Sequence, residues 1–223
     1  MSVKVTFLGH SGVLLEGGGA RVAIDPFLND NPVATMKADE LECDAVVITH
    51  GHEDHMADAV PICKKNKATL YAAYEICGYA QEEGHEKCEP GNPGGKIKTP
   101  FGYVAFTQAF HSSSFKGRYM GMPCGVVVNI GGVTLYHMGD TSLFGDMKLL
   151  GEIYKPDVAF VPVGDRFTMG PELGKRAAEL VRPKIAVPVH YKTWPLLAQD
   201  ITAFRPEGVQ VRALEPGETM TVG

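Results

Sequence analysis

The chain has 223 residues, 44% hydrophobic, 21% charged and 9% aromatic. That is enough for a buried core, and close enough to a globular average to exclude disordered, collagen-like and coiled-coil chains. Its 21 Lys and Arg against 26 Asp and Glu leave a net charge of −5, a poor balance for neutralising phosphates, so nucleic acid is not an expected partner.

Met1 to Leu8 alternates like a strand and lacks the apolar core and cleavage site of a signal peptide. No apolar run is long enough to span a bilayer. Cys43, Cys63, Cys77, Cys88 and Cys124 form no C-x-x-C pair, which speaks against a disulfide framework or a thiolate zinc site and for a reducing compartment. A soluble, cytoplasmic protein is expected. Strands are predicted over Val3 to Leu8, Gly12 to Glu16 and Arg21 to Asp25, with Gly17-Gly18-Gly19 as a turn. Asp44 to Thr49 reads as a central strand buried on both faces. Helices follow at Ala57 to Lys65 and Tyr74 to Glu83, then a turn-rich stretch from Glu89 to Gly95. Strands are expected at Lys96 to Thr99 and Tyr103 to Phe110, and an apolar hairpin at Cys124 to Ile130 and Val133 to His137. The last third alternates strand Asp157 to Val163, helix Pro171 to Val181, strand Ile185 to Val189, helix Trp194 to Phe204 and strand Val209 to Leu214. The sum predicts one domain over residues 1–223, with two sheets face to face and helices outside.

The chemistry concentrates in His50-Gly51-His52-Glu53-Asp54-His55, an H-x-H-x-D-H run that follows the buried strand and precedes a helix. Residues two apart cannot share a helix face, so His50 and His52 converge only in an extended or looped segment. Asp54 and His55 then sit at the helix entry and can point elsewhere, giving two ligand pairs for two neighbouring metals. Imidazole with carboxylate suits zinc, iron, manganese or nickel. The plain alternative is a polar loop of solvated histidines, which the density of three histidines and an aspartate argues against. Further candidates close other strands: His111 after Phe110, Asp140 in Gly139-Asp140-Thr141, whose two oxygens can bridge a metal pair, and His190 after Val189. His10, in a glycine-flanked turn after the first strand, is a candidate for facing the metals or substrate. His137 reads as packing behind Asp140, His85 as surface, and Tyr191, Thr193 and Trp194 as candidate pocket walls.

In order and across essentially the whole chain, these motifs resemble the metallo-β-lactamase superfamily. The resemblance implies an α/β (α+β) fold: an αββα four-layer sandwich of two packed mixed sheets, with the site along one edge. It implies that His50, His52 and His111 hold one metal, that Asp54, His55 and His190 hold the second, and that Asp140 lies between. Gly9-His10-Ser11-Gly12, His111-Ser112-Ser113-Ser114, the stretch Gly164 to Pro171 and the stretch His190 to Pro195 are similar to the branch known only as metal-dependent hydrolases. That branch is similar to the ascorbate-phosphate lactonases and, more remotely, to the N-acyl-phosphatidylethanolamine phospholipases. His52 stands where flavodiiron relatives carry Glu, which favours hydrolysis over oxygen or nitric oxide reduction.

The expected function is a dinuclear metal-dependent hydrolase that turns a metal-bound hydroxide on a small ester, lactone or phosphodiester. Two divalent transition-metal ions are its cofactors, zinc first and manganese, nickel or iron after it. Asp54 and His10 are the candidate catalytic groups. A small molecule is the expected substrate, with a homo-oligomer allowed. The rivals are an RNA-cleaving nuclease or phosphodiesterase, weakened by the acidic balance, and a non-catalytic metal-binding protein, weakened by the intact ligand set.

Overall fold

The computed structural model describes residues 2–223. The first three strands, β1 (Val3–Gly9), β2 (Gly12–Gly17) and β3 (Ala20–Ile24), form an antiparallel meander. Strands β4 (Ala45–Val47), β5 (Thr69–Ala73) and β6 (Cys88–Gly91) continue the sheet in parallel. Helices α1 (Glu53–Met56) and α2 (Ala59–Asn66) make the first crossover, and α3 (Tyr74–Glu82) makes the second. Next come β7 (Lys96–Thr99), β8 (Gly102–Gln108), a small hairpin of β9 (Ser114–Phe115) and β10 (Arg118–Tyr119), and then β11 (Cys124–Ile130) and β12 (Val133–His137). The chain closes with α4 (Met147–Tyr154), β13 (Val158–Pro162), α5 (Pro171–Val181), β14 (Ile185–Val189), β15 (Gln210–Val211) and β16 (Thr219–Val222).

Two seven-stranded sheets result, ordered β16-β1-β2-β3-β4-β5-β6 and β15-β14-β13-β12-β11-β8-β7. Strand alternation sorts their side chains into three apolar layers. Val3, Val5 and Phe7 from one sheet meet Val126, Val128, Leu135 and Phe160 from the other in the central layer. Leu14, Val46 and Leu70 face away from it, onto Ile62 and Ile76 of α2 and α3. Val127, Tyr136 and Val161 face Ala177 and Val181 of α5 on the far side. The architecture is helix, sheet, sheet, helix, as the resemblance implies.

Strand direction places the site. β1 and β3 run together, being both antiparallel to β2, and β4 runs parallel to β3. In the second sheet, β8 and β12 are both antiparallel to β11, and β13 and β14 run parallel to β12. Within each sheet, the carboxyl ends of these strands therefore share one edge.

Several elements differ from expectation. Residues 194–204 form turns, not a helix. Gln199 donates its side-chain amide to the carbonyls of Trp194 and Leu197, and Asp200 accepts from Thr202 N–H and Oγ1, so local side-chain bonds replace the helical ladder. The predicted Val209 to Leu214 strand shortens to two residues. Strand β5 and helix α4 are additional, β6 forms inside the expected turn region, and β16 pairs with β1 from the other end of the chain. No helix among the described residues is long and apolar enough to cross a membrane.

Candidate metal centre

Each candidate leaves the carboxyl end of a strand. His10 follows β1, the run from His50 to His55 follows β4, His111 follows β8, Asp140 follows β12 and His190 follows β14. Ten non-glycine residues among those described adopt positive φ, and His10 (57°), Asp25 (45°), Asp165 (60°), Arg166 (43°), His190 (60°) and Lys192 (61°) are among them. Left-handed backbone is costly for residues with a Cβ and persists where surrounding structure enforces it. Here the enforcement is visible: His190 N–H donates to the His10 carbonyl at 2.7 Å. A Cβ on Gly164 would lie 1.9 Å from the His190 carbonyl oxygen, so only glycine permits this approach of the two loops.

The side chains converge in two groups. The ligand atoms of His50, His52 and His111 lie within 4.8 Å of one another, and so do those of His10, Asp54, His55 and His190. Asp140 Oδ2 stands between them, 3.0 Å from His190 Nε2, 3.5 Å from His55 Nε2, 3.5 Å from His111 Nε2 and 4.0 Å from His50 Nε2. Asp54 Oδ2 lies 2.9 Å from His10 Nε2, 3.5 Å from His190 Nε2 and 3.7 Å from His55 Nε2. His10 thus sits within the second group. Its Nδ1 is hydrogen-bonded to Thr193 Oγ1 at 2.8 Å and its ring stands 4.8 Å from that of Trp194.

One residue here had no role assigned from the sequence. Asp25, wholly buried, accepts from Thr49 N–H at 2.8 Å, Thr49 Oγ1 at 2.6 Å and His55 Nδ1 at 2.8 Å. Having given its proton to Asp25, the Thr49 hydroxyl accepts from His50 Nδ1 at 2.9 Å. A single carboxylate therefore fixes His55 of the second group directly and, through Thr49, His50 of the first, and both rings turn Nε2 to the side of Asp140. Its only trace in the sequence is an aspartate closing the apolar run Val22-Ala23-Ile24 before Pro26.

Electrostatics follow from burial and these pairings. Burial, helped by neighbouring histidines, lowers His50, His52 and His111 below the ordinary imidazole value. Burial, with His190 beside it, pushes His10 down to about 4. Burial opposes charge on His55 and His190 too, but Asp140 and Asp54 outweigh it, raising His55 and bringing His190 to about 9. In turn those cations outweigh burial at Asp54 and Asp140 and hold both carboxyls below the usual carboxylate range. One buried and one half-buried carboxylate thus share the same nearby positive charge.

A transition metal fits this donor set. His55 Nε2 and Asp140 Oδ1 are buried and without a hydrogen-bond partner, a cost that coordination would remove. Above the two groups opens a cavity of about 300 Å³, floored by Asp54, Asp140 and His190 and walled by Ser112, Phe167 and Trp194. Tyr191, expected as a wall, packs instead against the apolar layer that α5 covers. His137 packs behind the centre, its Nε2 donating to the Ser11 carbonyl at 2.8 Å and its Nδ1 accepting from Gly139 N–H at 3.1 Å. His85, expected at the surface, is buried at the end of α3, where its N–H donates to the Ala80 carbonyl.

Comparison with known proteins places the chain in a family. Residues 4–190 match the family model described as a β-lactamase superfamily domain. A UPF0173 metal-dependent hydrolase of Thermus thermophilus is 47% identical over 98% of this chain and 98% of its own length. One from Shouchella clausii is 45% identical over 98% and 99%. Among solved structures, the metallo hydrolase Igni18 of Ignicoccus hospitalis is 36% identical, with a TM-score of 0.91 over 100% of this chain and 99% of its own. An isothiocyanate hydrolase from Delia radicum gut bacteria, 20% identical with a TM-score of 0.78 over 97% of this chain and 98% of its own, shares the fold.

Proposed function

Starting from the fact that this chain belongs to the β-lactamase superfamily, as a metal-dependent hydrolase, we propose that it works with two divalent transition-metal ions, zinc first, on a small ester, lactone or phosphodiester. His50, His52 and His111 hold one ion; Asp54, His55 and His190 hold the other, and Asp140 is shared. One observation carries this reading: Asp140 Oδ2 lies within 4.0 Å of imidazole nitrogens from both groups, as a bridging carboxylate requires. Bound there, such ions lower the pKa of water to about 7 and polarise the substrate's carbonyl or phosphoryl oxygen.

The chain's own residues then divide the work. Asp25 and Thr49 keep the Nδ1 protons of His55 and His50 in place, so that their Nε2 atoms stay available. Asp54, a quarter exposed to the cavity, orients the attacking water and accepts its proton. His10 Nε2 touches Asp54 Oδ2, which lets His10 share that proton and hold the carboxylate in place. Thr193 fixes the His10 ring from behind. Phe167 and Trp194 exclude water from the other side of the cavity.

The test is a metal titration of two variants. Asp140→Ala removes the shared charge and should weaken both sites at least tenfold, whereas His190→Ala should empty mainly one. Full stoichiometry with tight binding in Asp140→Ala would overturn the shared assignment.

A further inference from the structure

The walls of the cavity narrow the substrate class, an inference that rests on the hydrolase reading above. Apart from the metal-ligand candidates, the lining consists of Ser112, Phe167 and Trp194, and no lysine or arginine lines it among the described residues. The nearest cations on the same loops lie over aromatic rings at the rim and not inside the cavity. The Arg166 guanidinium lies 5.5 Å over the Phe167 ring, and the Lys192 ammonium 5.7 Å over that of Tyr191. A phosphate or carboxylate carried away from the reacting bond would enter this cavity with one hydroxyl as its only added donor. Burying such a charge without partners is prohibitive.

The apolar side is built with care. Phe167 is 53% exposed, and Phe110 and Leu196, neighbours in sequence of His111 and Trp194, are 59% and 60% exposed. Singly, such residues would need no explanation, but here two lie on the loops of His111 and His190 and the third on the loop after β13, which lies between β12 and β14. Phe167 is also held in place. Two consecutive left-handed residues, Asp165 and Arg166, precede it. Asp165 N–H donates to the Met169 carbonyl at 3.0 Å, and Met169 N–H donates to the Thr141 carbonyl at 3.2 Å. The ring is thereby tied to the residue next to Asp140. Left-handed backbone directly before a half-exposed aromatic that lines the cavity is a feature kept at functional loops.

We infer that the site takes an uncharged carboxylic ester or lactone with a hydrocarbon portion, which lies between Phe167 and Trp194 while the acyl carbon faces Asp54 and Asp140. Water's oxygen adds to the acyl carbon, the acyl C–O bond breaks, and the alcohol leaves with one of the water's protons, giving acid and alcohol.

The experiment compares p-nitrophenyl acetate, butyrate and hexanoate with the p-nitrophenyl ester of 6-phosphonohexanoic acid, using the zinc-loaded protein. Specificity, kcat/KM, should rise from acetate to hexanoate by about fourfold for each methylene that is buried. Hexanoate should exceed the phosphonate-tailed ester at least tenfold. Phe167→Ala should flatten the chain-length series. Trp194, the chain's one tryptophan, provides a readout that needs no turnover. Hexanamide should shift its emission, and Phe167→Ala should weaken that binding threefold or more. If no ester is cleaved yet hexanamide binds in this way, the hydrolase reading falls and the pocket assignment stands. Equal or better use of the phosphonate-tailed ester overturns the pocket assignment and leaves hydrolysis intact. So does an unaltered chain-length series in a Phe167→Ala variant whose sedimentation shows a lost dimer, which would give the apolar rim to a subunit interface.

Discussion

Asp54 and Asp140 are chemically alike and placed differently. The Asp140 side chain is 3% exposed and faces four imidazoles, whereas that of Asp54 is 26% exposed and meets the cavity. The first can only bind; the second can bind and also reach a substrate's water. Asp54→Asn keeps the shape and one coordinating oxygen but loses the charge and the capacity to accept a proton. At saturating metal, kcat should fall by about 10²–10⁴, the range for a positioned acid–base group. A variant with both ions bound and near-normal turnover would assign that orientation to another residue. The His10→Ala loss should be smaller, because His10 reaches the water only through Asp54.

At the scale of elements, His137 staples two strand ends together. It closes β12, and its ring bonds link Ser11, beside His10, to Gly139, beside Asp140. Burial lowers its pKa, so it is neutral in the fold. Below about pH 6.5 the unfolded chain gains a proton that the folded ring refuses, so this contribution to stability is lost as pH falls. His137→Gln lacks that titration. With EDTA present, the stability gap between wild type and variant should narrow by up to about 1.4 kcal/mol per pH unit below 6.5 in urea unfolding. A gap that stays constant from pH 8 to 5 would refute the assignment.

The elements were legible where pattern and partner are local. Strands β1 to β3 and the pair β11 and β12 are neighbours along the chain, and their alternation or apolar runs suffice. Strand β16 was not legible, since Thr219–Val222 becomes a strand only by pairing with Val3–Thr6. The segment after Trp194 misled because its apolar spacing is helical, while Gln199 and Asp200 bond its backbone locally. In the centre, the dense His50 to His55 run announced itself, and His111, Asp140 and His190 gained meaning as strand ends beside it. Asp25 stayed hidden because a lone strand-end carboxylate before proline looks like an ordinary turn former. Its role exists only in the hydrogen bonds to Thr49 and His55.

For the whole molecule, the centre joins the edges of both sheets. The His50 to His55 run leaves the first sheet, while His111, Asp140 and His190 leave the second. Ions held by both should stabilise the packed sandwich, since they bind the folded chain and find no such arrangement when it unfolds. At free metal a hundredfold above Kd, each site contributes about 2.7 kcal/mol. For a chain of this size that predicts a fall in Tm of about 10–20 °C on EDTA treatment, restored by zinc. An unchanged Tm would mean that the ions, if bound, do not hold the sheets together.

The shared carboxylate between two ligand groups is the central claim, and the metal content of the wild-type chain tests it most directly. Elemental analysis after zinc reconstitution and removal of free ion should find two ions per chain. One ion, or none, would contradict the account.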